Sequence, residues 1–181
     1  MSEVKEKQNQ QILKPTRRLV DKISAAFGLG FMPVGPGTWG SVPGIPLAWA
    51  TYGLCQWLAG NRFGDAMTWQ ASLICLGILS LLSWGSTICI RETEREWNSH
   101  DDKSIVVDEV VGQMVALAWF PPSWWMALAG FALFRLFDIL KPGPIGWVDK
   151  NWDTAFGTLL DDLIAGACAG IILLFCWKYL A

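Results

Sequence analysis

Thr68-Trp-Gln-Ala-Ser-Leu-Ile-Cys-Leu-Gly-Ile-Leu-Ser-Leu-Leu-Ser-Trp-Gly-Ser-Thr-Ile-Cys-Ile90 runs without a single charge. It is the cleanest candidate in the chain for a helix that crosses a membrane. Three further apolar stretches surround it. Pro43 to Ala59 is long enough to span despite Pro46 and Gly53. Ile105 to Leu140 is broken by Pro121-Pro122 and reads as a helical hairpin, whose first arm would extend only about 22 Å as a helix, short of the ~30 Å hydrocarbon core. Leu163 to Leu180 places Gly166 and Gly170 four apart, a spacing that lets helices approach closely, within the chain as readily as between copies. The expected fold is all-α: a multi-pass helical membrane protein with about five apolar helices, one pair of them the proline-broken hairpin.

Composition agrees. The chain has 181 residues, 52% hydrophobic and 17% charged, with little polar surface for a soluble enzyme. That weighs against a tryptophan-rich soluble helical protein. The length suits one domain, residues 19–181, behind a polar basic tail over residues 1–18. Residues 12–27 suit a short amphipathic surface helix, and a disordered tail as far as Thr16 suits the sequence equally well. The net charge of −2, with no basic patch beyond that tail, points away from nucleic acid. Cys55, Cys75, Cys89, Cys168 and Cys176 form no CxxC pair and mostly lie in apolar runs, so they read as small hydrophobes.

Lysine and arginine set the orientation. They are dense up to Lys22 and recur from Arg91 to Lys103 and at Lys141 and Lys150, whereas the intervening turns carry only Arg62 and, at the prolines, none. The N-terminus and the two basic loops are therefore expected on the cytoplasmic side. Many of the twelve tryptophans lie near segment ends, as interfacial belts require. This topology brings four polar clusters to one face of the membrane.

The central cluster is His100-Asp101-Asp102-Lys103-Ser104-Ile105-Val106-Val107-Asp108-Glu109. If it is helical from Asp101, then Asp101, Ser104 and Asp108 share a face. Carboxylates beside a bilayer need partners, and a divalent cation is the obvious one. A second cluster is Gly35-Pro36-Gly37-Thr38-Trp39-Gly40-Ser41, with Ser41 suited to cap a following helix and the glycines suited to close approach of backbone N–H groups to an anion. An ordinary turn into a membrane helix explains that spacing equally well. In the third, Arg135, Asp138 and Lys141 recur at intervals of three within an apolar helix. They read either as an internal ion pair with a snorkelling lysine or as a metal ligand flanked by two phosphate-binding cations. Asp161-Asp162 is expected to open the last helix, as caps or as ligands. Cys89 to Arg95 matches the CX5R spacing of cysteine phosphatases, but its intervening residues include two acids and no glycine, so the match is coincidental.

These residues, in this order over about residues 27–166, resemble the phosphatidylglycerophosphatase A family of bacterial membrane enzymes. The matching pieces are Gly35 to Ser41, His100-Asp101 with Ser104 to Gly112, Phe134-Arg135-Leu-Phe-Asp138 with Lys141-Pro142-Gly-Pro144-Ile145, and Asp161-Asp162 with Ala165-Gly166. The resemblance implies a Mg²⁺-dependent phosphatase of the inner membrane that converts phosphatidylglycerophosphate to phosphatidylglycerol and phosphate.

On that expectation Asp108, Glu109, Asp138, Asp161 and Asp162 hold the metal, and Gly37, Thr38, Gly40 and Ser41 bind substrate. Arg135 and Lys141 bind the phosphate, and His100 or Asp101 acts as general base or leaving-group acid. A cation-coupled transporter or channel is the rival reading; the uncharged run and the one-sided clusters argue against it. A lipid phosphoalcohol transferase would need a DGxxAR-type helix, which is absent.

Overall fold

The computed structural model describes residues 18–99 and 102–180. Its order is α1 (Leu19–Ser24), a 3₁₀ segment (Ala26–Phe31), α2 (Pro36–Ser41), α3 (Gly44–Leu58), α4 (Trp69–Trp97), α5 (Val107–Leu117), α6 (Trp124–Leu140), α7 (Pro144–Asn151) and α8 (Ala155–Leu180). Among the described residues there is no strand. Most of the N-terminal tail, with the first part of the expected surface helix, lies outside them.

α5 is the axis. Nine of its eleven residues are buried, and it contacts α2, α3, α4, α6 and α8. Glycines permit the closest of these contacts. A Cβ on Gly166 would sit 2.2 Å from the carbonyl oxygen of Gly112, and one on Gly112 would sit 2.8 Å from that of Asp162. The expected Gly166-Gly170 spacing thus serves a contact inside the chain. At the far end of α3, Gln56 donates to the Asp65 carbonyl at 2.8 Å, and Asn61 bonds both Gln56 and Thr68. Thr68 caps α4 by accepting from Ala71 N–H. At the other end, buried Asp21 accepts from Arg18 N–H at 3.1 Å and Thr93 bonds Ser24 at 2.9 Å, which ties α1 to α4.

All five expected apolar segments are helical, but only two of the described helices, α4 and α8, are long and apolar enough to cross a membrane. α3 and α5, with 15 and 11 residues, extend only about 22 and 16 Å. Three boundaries also differ from expectation. α4 continues past Ile90 to Trp97, because the charged turn is helix-compatible: Arg95 pairs with Glu92 at i,i+3, and Asn98, at φ 47, ends the helix in the left-handed region. α8 begins at Ala155 rather than Leu163, so Asp161-Asp162 lies within the helix and caps nothing. Gly35 to Ser41 is not a turn: residues 36–41 form α2, and the Ser41 hydroxyl donates to the Gly37 carbonyl at 2.7 Å instead of capping α3.

Candidate active site

α5 begins at Val107; residues 102–105 form a turn, with Asp102 Oδ1 accepting from Ser104 N–H at 3.0 Å. Asp108 and Glu109 therefore stand in the first helical turn, about 100° apart around the axis. Both nonetheless reach one point, because α8 closes against α5 at Gly112 and Gly166 and brings Asp162 between them. One ligand oxygen each from Asp108, Glu109 and Asp162 lies within 4.8 Å of the others. Asp108 and Asp162 are 5% and 4% exposed, so water does little to separate these charges. Bare carboxylates at that spacing repel by roughly 3 kcal/mol per pair at an effective dielectric of about 20.

The donor set is wholly hard oxygen, and Glu109 Oε2 is buried with no hydrogen-bond partner. This set suits a hard divalent cation. Asp138 lies within electrostatic reach of Glu109 and Asp162, while its own carboxylate is ion-paired to Arg135. α2 completes the wall. A Cβ on Gly37 would sit 2.3 Å from Glu109 Oε1 and 3.2 Å from both terminal nitrogens of Arg135, so the missing side chain lets α2 lie directly against both as they stand.

Lys141 ends α6 and bridges Asp149 on α7 and Asp161 on α8. Partial burial works against its charge, but the hydrogen bonds and charges of Asp149 and Asp161 outweigh it and raise the lysine's pKa above its ordinary value. Its backbone sits at φ 43, a conformation that usually selects glycine or asparagine. Lys141, Asp149, Thr158 and Asp161 line a polar recess of about 50 Å³. A groove of about 560 Å³ lies elsewhere, between α4, α5 and α8; its apolar walls of Leu76, Val115, Trp119 and Leu174 suit hydrocarbon rather than phosphate.

The structure thus gathers Asp108, Glu109, Asp162, Asp138, Arg135 and Gly37, and sets Asp161 and Lys141 alongside. Gly40 packs on Val106, Ser41 is buried in its own helix, and Thr38 is exposed. His100 and Asp101 lie outside the described residues. Two residues escaped the sequence reading. Asp149 sits between two lysines in what reads as a basic loop. Gln113 is fully buried in α5 with both amide atoms lacking partners; a lone amide in an apolar run was the available signal.

A family model described as Phosphatidylglycerophosphatase A matches residues 22–177. A phosphatidylglycerophosphatase A of Haemophilus influenzae is 37% identical over 158 residues, covering 87% of each chain. That of Escherichia coli K12 is 33% identical over 161 residues, 84% of this chain and 80% of its own. A Bacteroides thetaiotaomicron protein, provisionally named a phosphatidylinositol-3-phosphatase, is 30% identical over 154 residues, 83% of this chain and 89% of its own. No solved structure matches. The matched stretch contains every cluster from Gly35 to Asp162, and with it the carboxylates and cations that α5, α6 and α8 bring together: the chain belongs to the phosphatidylglycerophosphatase A family of phosphatases.

Proposed function

We propose that this chain hydrolyses the terminal phosphate of phosphatidylglycerophosphate, giving phosphatidylglycerol and inorganic phosphate, with Mg²⁺ and at the cytoplasmic face of a bacterial inner membrane. The observation that carries the reading is the meeting of Asp108, Glu109 and Asp162 beside Arg135 and Gly37 in a member of this family. Asp108, Glu109 and Asp162 would hold the ion, with Asp138 and Asp161 at its margin. Bound there, Mg²⁺ would polarise a phosphoryl oxygen and acidify water.

Arg135 offers a planar fork to the phosphate and is held in place by Asp138. Lys141, fixed by Asp149 and Asp161, adds a second cation. Hydrolysis puts a water oxygen on phosphorus, breaks the bond to the glycerol oxygen, and moves one proton from the water to that leaving oxygen. His100 or Asp101 serves that transfer in this reading.

Several features support the membrane setting. Only 22% of the apolar stretch of α4 and 44% of that of α8 are buried, whereas a soluble core helix would be mostly covered. Exposed Trp57, Trp69, Trp124 and Trp125 mark the ends of α3, α4 and α6 away from the acids, and Trp39, Trp147 and Trp152 mark the opposite end. Among the described residues, Lys141 pairs with Asp161 on the acids' side.

The test is phosphate release by detergent-purified full-length protein from phosphatidylglycerophosphate, and from phosphatidylinositol 3-phosphate for comparison, with Mg²⁺ and with excess chelator. Release from the former that chelator abolishes is expected. Asp108→Asn, of unchanged size, is expected to lower kcat/KM by roughly 10²-fold or more. Chelator-resistant release would discard the metal, and release only from the inositol lipid would replace the substrate.

A further inference from the structure

Gln113 is an anomaly in α5. It is 0% exposed, and neither Oε1 nor Nε2 has a hydrogen-bond partner. Folded proteins seldom bury an amide with both ends unmet. Its position relative to the site follows from two close approaches. A Cβ on Gly44 would sit 2.7 Å from Gln113 Cβ, just as one on Gly37, seven residues earlier, would sit 2.3 Å from Glu109 Oε1. The run α2–α3 therefore faces both residues. Being four apart, Glu109 and Gln113 stack on one face of α5, with the amide about 6 Å further from the acid-bearing end.

In the membrane setting proposed above, that direction leads into the bilayer. A lipid whose terminal phosphate sits at the acids and whose acyl chains remain in the bilayer must lay its headgroup glycerol in between. An amide accepts at Oε1 and donates at Nε2, and a hydroxyl likewise donates and accepts. The lipid's phosphodiester only accepts and would leave Oε1 unmet. We infer that Gln113 binds the free hydroxyl of the headgroup glycerol and is a specificity-determining residue for lipids that carry it. The inference rests on the phosphatase reading and adds to it which part of the substrate is recognised, and by what.

The experiment is a double-mutant cycle on the full-length protein in mixed micelles with Mg²⁺. It pairs phosphatidylglycerophosphate with an analogue whose headgroup is 1,3-propanediol phosphate, identical but for the missing hydroxyl. Wild type is expected to hydrolyse the analogue with kcat/KM roughly tenfold lower. Gln113→Met and Gln113→Leu are expected to erase that difference by losing about the same factor on the hydroxyl-bearing lipid alone. The thermal midpoint should hold or rise, because an apolar side chain removes an unmet amide from the core. Equal losses on both lipids with a lowered midpoint, or failure of both variants to fold, would make Gln113 structural and overturn the inference. So would a wild-type penalty that survives in folded, active variants, in which case a water serves the amide. A wild type inactive on both lipids would instead sink the phosphatase reading itself, and the inference with it.

Discussion

Gly37→Ala separates the site from the fold. The new methyl would fall 2.3 Å from Glu109 Oε1, and 3.2 Å from each terminal nitrogen of Arg135. Restoring ordinary contact requires the carboxylate to retreat by about 1 Å. Glu109 is a long side chain and the clash is at its tip, so the retreat needs a rotamer change rather than movement of α2 or α5. Alanine also favours the helix over glycine by roughly 0.5–1 kcal/mol, offsetting part of that change. Stability should therefore shift by no more than about 1 kcal/mol, a few degrees in midpoint for a chain this long. Activity should not be spared. If Glu109 is a ligand, a displacement of ~1 Å costs on the order of 10²-fold in kcat/KM. It should also raise the Mg²⁺ concentration needed for half-maximal activity. Phosphate release across a Mg²⁺ titration, with a thermal midpoint in the same detergent, measures both. A folded Gly37→Ala protein with wild-type turnover and Mg²⁺ requirement would refute the claim that α2 shapes the metal site.

The converse holds at Gly166, where an added methyl meets the Gly112 backbone oxygen at 2.2 Å. No side chain can yield there, so Gly166→Ala should lower stability by roughly 1–3 kcal/mol, visible as a lower midpoint; an unchanged midpoint would mean α5 and α8 are not packed as described. Cys89 is half-buried and lies outside the acid cluster, so Cys89→Ala should leave phosphate release within about twofold of wild type. Loss of activity without loss of fold would revive the cysteine mechanism that the intervening acids argue against.

What the sequence conveyed well was wherever a single property is locally sufficient. The uncharged run from Thr68 to Ile90 is α4, and the Pro121-Pro122 break separates α5 from α6. The acids and cations stood out because ionisable residues are rare in apolar segments. What it conveyed poorly depends on partners distant in the chain. Asp161 and Asp162 look like punctuation, yet α8 starts six residues before them, where Thr154 accepts from Gly157 N–H, and they meet Lys141 and the other acids from within the helix. Gly35 to Ser41 suggests a loop able to cradle an anion. Residues 36–41 are instead α2, and Gly37 and Gly40, with Gly44 at the start of α3, lie close against Glu109, Val106 and Gln113 in turn. Asp149 was hidden for the same reason: its partner is Lys141, across the α6–α7 junction.

α5 shows why length arithmetic misleads here. Its apolar sequence suggested a membrane arm, and about 16 Å of helix is too short for one. But mismatch with the hydrocarbon core matters only for a helix that meets lipid, and α5 meets α2, α3, α4, α6 and α8 instead. Val107, Val110, Val111, Met114 and Leu117 are apolar because they are covered by protein. A helix freed from spanning can begin at the level where Asp108 and Glu109 receive Asp162 from α8, and end before the opposite surface. On the membrane reading, the shortness of α5 is then what lets a buried carboxylate cluster open toward one face while the longer α4 and α8 meet the lipid around it.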